Sequence, residues 1–402
     1  VKRIEEAIES ILPEVEALRR DLHRHPELGY EEEETARRVL AFMGELPGAE
    51  IRTGLAGTGM TVTFGAGLDG PGVALRADMD ALAMEEASGV PWASEIPGRM
   101  HACGHDGHTA MLAGAARLIA EQAERLEGPV RLIFQPAEEG GAGGKALCEA
   151  GVLEDPPMAA AFGLHNNLPG PGLKAGSIAC TTGPAMAGTG TFAIEVLGTG
   201  GHAAFPHRCT DPVYIGACIV EQLQGLVSRM VDPVAAAVVS VTQFHGGSAD
   251  NIIPARAVLR GTFRSLDDAL LVRIRDAIVK RATEVAGAHG AEVRVDCRLG
   301  YPALVNDASA GEAFRRILEA IGREGDLVEV PPNMGGEDFA YFAQRVPAFF
   351  YYLPACPPER EEVPMCHSPY FDFNDNLLGA GIRLHVETAL RFAAIWRAMG
   401  QA

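Results

Sequence analysis

The sequence predicts an α/β protein: a helix-covered mixed sheet from residues 1–183 and 297–402, interrupted by an inserted α+β domain over residues 184–296. Three observations predict it. At 402 residues the chain exceeds the ~250 to 300 residues at which a single core stops growing, so two domains are expected. Strand-like and helix-like runs alternate through the first part of the chain, the pattern of a sheet covered by helices. Between about residue 184 and 296 the texture changes to strand-like runs separated by longer helical ones, and the carboxyl-terminal part then returns to the first style.

Taken in order, Ile4, Ile8, Ile11, Val15, Leu18 and Leu22 recur at three or four residues, the stripe of an amphipathic helix that ends near His25-Pro26. GVALRADMDAL reads as a buried strand entering a loop, HDGHTAMLAGAARLIAEQAERL as a helix, and PVRLIFQPAEEGG as a strand with a polar tip. Asp78, Asp80, Glu138, Glu139 and His165 all fall just after apolar strand-like runs, where open α/β sheets gather their ligands. TFAIEVLG, AAAVVSVTQFHGG, AVLRGTFRS and AEVRVDCRL supply the strands of the second domain; AFFYYLP and NDNLLGAGIRLHVETALRFAAIW close the first as strand and helix. No internal repeat or long linker separates the two textures, so the second domain is expected to be an insertion.

A formal charge of −19 excludes nucleic acid and anionic membranes as partners, because both require a basic face. An anionic substrate must then be held by a few local cations. No apolar run approaches the ~18 residues a membrane helix needs. The amino end lacks the basic start and apolar centre of a signal peptide, and eight cysteines are too sparse for a disulfide scaffold. A cytoplasmic, reducing location is expected.

RMHACGHDGHTA packs His101, Cys103, His105, Asp106 and His108 into one short segment, and thiolate with imidazole suits zinc and its neighbours. Two readings compete: a helix amino end merely capped by Asp106 and His108, and a cysteine nucleophile, which has no need of so many imidazoles. In QPAEEGG, Glu138 and Glu139 could divide two tasks, one binding a metal and the other taking a proton from metal-held water. The alternative is a solvated acidic loop tip. His165 in AFGLHNNLPG and His367 in MCHSPYFDF stand in strand-end contexts, where a lone histidine is more often structural than ligating.

RRDLHRHPELGYEEEET, LRADMDAL, MHACGHDGHTAMLAGAA, IFQPAEEGGAGG, GLHN, GTGGHAAFPH, NIIPARAVLRGTFRS, MGGEDFAYF and CHSPYFDFND follow one another along nearly the whole chain. In this set the sequence resembles the M20 metallopeptidases, in the branch of hippurate hydrolases and auxin-conjugate amidohydrolases. The resemblance implies two divalent metal ions per subunit, Zn²⁺ or Mn²⁺ with Co²⁺ and Ni²⁺ also compatible with these donors. Cys103 would bridge them, His105 and His165 would hold one, and Glu139 and His367 the other. Glu138 would be the general base and Asp80 a carboxylate behind the metals. Asp78 occupies the place where other branches put a metal-binding histidine; His101 and His108 are left either as supports behind the metal ligands or as structural residues.

The resemblance further makes the inserted domain a lid and dimer contact in a homodimer or a dimer-based oligomer. His202 would reach across to the oxyanion, and Asn251 and Arg264 would meet the substrate carboxylate. Arg264 is apt because a guanidinium offers two parallel hydrogen bonds, although a strand arginine can equally be a surface residue. The implied activity is cleavage of small N-acyl amino acids, hippurate-like or similar, into a carboxylic acid and an amino acid, with Glu138 assisting a metal-bridging water. The alternatives are a dipeptidase or aminopeptidase of the same superfamily and, further off, a non-catalytic metal-dependent binding protein, which would not need a base beside Glu139. Ala83 stands where proline is common in the family, and MAGTGTF lacks a polar residue often found before its phenylalanine. Neither position is a proposed ligand.

Overall fold

The apolar stripe of the amino end folds as the helix Lys2–Arg24, with Ile4, Ile8, Ile11, Val15, Leu18 and Leu22 all buried. It packs against the helices His105–Ala120 and Leu378–Ala398. The first of these is buried almost all round, which its run of small residues permits: a Cβ on Gly114 would meet Ile382 and Val15 at 3.0 Å. Close helix approach is set here by residue size. The computed structural model describes residues 2–166, 173, 176–354 and 364–401, and two compact units emerge from it: Val1–Gly183, Val305–Pro331 and Asp338–Ala402 form one, and Pro184–Leu304 with Pro332–Glu337 form the other.

The first unit is organised by an eight-stranded sheet in the order Ala49–Leu55, Gly59–Phe64, Val130–Gln135, Gly72–Asp78, Met158–Asn166, Ala348–Leu353, Ile178–Cys180, Leu327–Glu329. Val130–Gln135, Gly72–Asp78, Met158–Asn166 and Ala348–Leu353 run parallel. Antiparallel pairs flank them, so the sheet is mixed, as the sequence predicts. Gly72–Asp78 and Val130–Gln135 are buried along their whole length, the condition of parallel strands covered on both faces. Their carboxyl ends lie on one edge, and the polar loops of the chain leave from there.

The second unit is a four-stranded antiparallel sheet, Ala237–Gly246, Arg256–Ser265, Gly188–Leu197, Glu292–Leu299. Two helices, Pro212–Met230 and Asp268–Ala288, share its core, with Phe192, Ile194, Leu259 and Phe263 packed among Ile215, Ile219, Ile274 and Ile278. Asp211 and Asp267 cap these helices by accepting from the N–H groups of their first turns. Strand alternation turns Arg256, Arg260 and Arg264 away from the buried Ala257, Leu259 and Phe263. This unit extends beyond residue 296 to Leu304 and takes in Pro332–Glu337. Residue 296 lies within Glu292–Leu299, which pairs along its length with Gly188–Leu197, and no change of composition marks that strand's end. Among the described residues no helix is long and apolar enough to cross a membrane.

Candidate metal centre

The loop after Val130–Gln135 is held by its own backbone. Ala137 N–H donates to Glu32 Oε1 at 2.8 Å, Glu138 N–H to Asp80 Oδ1 at 3.0 Å, and Glu139 N–H to Asp80 Oδ2 at 2.9 Å. Three successive N–H groups are thus fixed by two buried carboxylates, which sustains the left-handed φ of 52° at Ala137. The consequence is that adjacent glutamates point by design of the loop and are not left to solvent. Glu138 is buried and accepts from Asp338 N–H at 3.3 Å.

Gly104 turns the chain into the helix His105–Ala120 with φ of 93°. A Cβ there would lie 2.3 Å from Asn166 Oδ1, so glycine is required twice over. His105 Nδ1 sits 2.9 Å from the Asp80 carbonyl oxygen, which it meets as a donor, leaving Nε2 buried without a hydrogen-bond partner. Cys103 Sγ is 3.4 Å from His165 Nε2. His367, itself at a left-handed φ of 67°, brings Nε2 to 3.1 Å from Glu139 Oε1.

Two donor groups follow, Cys103 with His105 and His165, and Cys103 with Glu139 and His367; within each, the ligand atoms lie within 4.8 Å of one another. Cys103 is common to both. This donor set fits two divalent ions sharing a thiolate, since sulfur, imidazole and carboxylate are ordinary zinc-type ligands and the unpartnered His105 Nε2 would be satisfied by a cation. A further group, His105 with Glu138 and Glu139, puts the second glutamate beside the same donors.

Protonation of these side chains follows the crowding. Burial works against charge on His105, but the Asp78 and Asp80 carboxylates more than offset it and hold its pKa well above the ordinary value. Contact with Cys366, burial and the Glu139 and Glu138 carboxylates push the Cys103 thiol up. Burial pushes Glu139 up, but His367 and His105 outweigh it and its pKa falls. His367 rises against Glu139. Burial and the neighbouring His108 lower His165.

Beneath these donors lies a scaffold that the sequence reading left without roles. Arg76 is buried and spans Asp78 Oδ2 at 2.5 Å, Asp338 Oδ1 at 2.9 Å and Gln135 Oε1 at 2.8 Å. His108 Nδ1 is 2.6 Å from Asp78 Oδ1, and its Nε2 lies 2.7 Å from Asn166 Oδ1 and 2.9 Å from Asn166 N. Asp78 and His108 are thereby tied to protein groups. The signal was present in part: Asp338 lies in MGGEDFAYF, Asn166 follows His165 in GLHN, and Glu32 stands in GYEEEET. His101 is buried with neither ring nitrogen hydrogen-bonded, and burial lowers its pKa to about 4.

The remaining expected residues belong to the second unit. His202 lies in a two-residue strand paired with Ile252–Ile253; it is exposed, and its Nδ1 accepts from Ala204 N–H at 3.1 Å. Asn251, exposed next to that strand, accepts from Ala203 N–H through its carbonyl at 3.0 Å. The ribbon therefore brings His202 and Asn251 together. Arg264 stands apart on the four-stranded sheet, where its Nη1 donates to the Phe263 carbonyl at 3.0 Å and to Thr262 Oγ1. Burial lowers its pKa. With Arg260, Arg298, Thr191 and Gln243 it lines a cavity of about 520 Å³.

Comparison with known proteins extends this geometry. The family described as Peptidase family M20/M25/M40 matches residues 74–391. IAA-amino acid hydrolase ILR1-like 4 of Arabidopsis thaliana is 41% identical over 380 residues, 93% of this chain and 84% of its own length. N-acetyl-L-cysteine deacetylase of Bacillus subtilis is 38% identical over 338 residues, 84% of this chain and 79% of its own. Among solved structures, the Bacillus subtilis YXEP protein, described as a dinuclear metal binding peptidase from the M20 family, superposes with a TM-score of 0.81 at 31% identity, covering 96% of this chain and 99% of that one.

Proposed function

The chain belongs to peptidase family M20/M25/M40, and from that premise we propose that it hydrolyses small N-acyl amino acids at a site holding two divalent ions. The observation that carries this reading is Cys103, shared by the two donor groups with Glu138 alongside. His105 and His165 are the donors to one ion, Glu139 and His367 to the other, and Zn²⁺ or Mn²⁺ are the ions we assign. When bound, they supply Lewis acidity that polarises the amide carbonyl and acidifies a water.

The protein's own groups do the rest. Glu138 takes the proton of the attacking water and returns it to the departing amine nitrogen. Asp80 keeps that carboxylate in place through the two N–H groups it accepts. His202, presented across a homodimer, is assigned to the developing oxyanion, and Asn251 and Arg264 to the free carboxylate of the amino-acid product side. The acyl group is a small carboxylic acid, and the enzyme is assigned to the cytoplasm. Hydrolysis of N-acetyl, N-benzoyl and indole-acetyl amino acids by metal-reconstituted protein tests the reading, with a simple dipeptide as comparison. Turnover of the dipeptide alone would replace it with a dipeptidase, and no turnover with full metal would leave a binding protein.

A further inference from the structure

We infer that Cys103 and Cys366 form an oxidisable pair that closes to a disulfide when metal is absent and, once closed, keeps metal out. The deduction that metal protects the pair rests on the assignment of Cys103 as a metal donor. His367 N–H donates to the Ala102 carbonyl at 2.8 Å, which sets the segments carrying the two cysteines side by side. Cys366 Sγ lies 3.7 Å from the Cys103 carbonyl oxygen. Cys103 is buried, whereas Cys366 is partly accessible. Cys366 is in none of the donor groups. A thiol placed beside a candidate bridging ligand, yet outside the ligand set, has the position of a resolving cysteine.

The chemistry closes with a peroxide as oxidant. Oxygen transfers from hydrogen peroxide to the Cys366 sulfur, the O–O bond breaks, and one water leaves with a sulfenic acid remaining. The Cys103 sulfur then attacks the Cys366 sulfur, and its thiol proton leaves with the displaced hydroxyl. The S–O bond breaks and the second water leaves, so two thiols and one peroxide give one disulfide and two waters. With both ions bound, the lone pairs of Cys103 are engaged and the second step has no nucleophile. After closure, Cys103 can no longer be a thiolate donor to either ion.

The test compares chelated and metal-reconstituted full-length protein treated with hydrogen peroxide, alkylated, cut with trypsin and read by mass spectrometry. Trypsin places Cys103 in residues 100–117, Cys366 in 361–383 and Cys356 in 346–360, so the cross-link is identified without ambiguity. Expected is a 100–117/361–383 disulfide in chelated protein, formed at least ~10-fold more slowly with metal, and absent in Cys366→Ser. Oxidised protein should take up less than its full complement of metal until dithiothreitol restores it, while Cys366→Ser takes up metal before and after peroxide alike. Chelated protein whose two peptides carry only alkylated thiols or sulfonic acids, without the cross-link, would overturn the inference. Equal closure rates with and without metal would uphold the thiol pair and remove Cys103 from the metal centre, which separates the two claims.

Discussion

The two units treat their polar residues in opposite ways. In the first, Glu138 and Glu139 hang from N–H groups locked by Asp80, Asp80 also faces His105, and Arg76 ties Asp78 to Asp338. In the second, His202 and Asn251 are exposed on a short ribbon, and Arg264 is held by groups of its own strand. A metal centre tolerates only a small error in ligand position, so its supporting groups must be buried and fully partnered. Substrate contacts need only meet a ligand that brings its own charge. The contrast teaches where substitution should be ruinous and where it should be selective.

The largest effect tests the rigid side. Glu138→Gln should lower kcat by at least ~10³ with metal content near wild type, because it removes a base and keeps the shape. Glu139→Gln should lose metal instead. Elemental analysis showing the reverse pattern would exchange the two roles. On the selective side, Arg264→Ala should cost about 10- to 150-fold in kcat/KM on an N-acyl amino acid, the value of a charge-assisted pair. It should cost far less on the corresponding methyl ester. Equal slowing of acid and ester would make Arg264 structural and erase the contrast at that position.

Asp80→Asn probes the support behind the donors. It keeps the size but weakens the hold on the 138–139 loop, and such supporting changes cost about 10- to 100-fold in metal affinity or activity. Unchanged kcat, KM and metal affinity would mean that the loop holds itself. The smallest effect concerns stability. Burial opposes charge on His23, but the Asp106 carboxylate 2.7 Å away wins and lifts its pKa from 6.5 to about 9. A pKa raised on folding contributes stability that is complete below the unfolded value and lost as pH climbs through the folded one. The melting-temperature advantage of wild type over His23→Gln should therefore be full at pH 6, roughly 2 to 4 °C for each kcal/mol, and should fade by pH 10. A gap that stays constant over that range would mean that His23 is uncharged.

Much of this was legible because it was local. The isoleucine and leucine stripe gave the first helix, strand-end positions marked Glu138, Glu139 and His165, and ordered motifs carried the resemblance. What escaped was long-range or backbone-encoded. Ala137 and His367 adopt left-handed φ values without the glycine that would advertise them. Glu32 fixes a backbone 105 residues away, and no spacing rule links a carboxylate to an amide at that distance. The domain limit at 296 failed to respect Glu292–Leu299 because an edge strand has no sequence punctuation at its centre. The particular partners of His108, Asp78 and Asn166, were not legible because they meet it only through the fold of the sheet.

The bond between Arg76 and Asp338 joins residues 262 positions apart, and this sets a timetable for the nascent chain. At ~5 to 20 residues per second, a ribosome needs on the order of 10 to 50 s to deliver the second partner after the first. Throughout that interval a guanidinium destined for the deepest part of the sheet lacks one of its two carboxylates, while the whole 184–304 stretch has already emerged and can fold on its own core. The Arg76–Asp338 bond is thus completed last, after the unit that interrupts the sheet. A stall just before residue 338 should yield a chain whose inserted unit is complete while Arg76 still lacks Asp338.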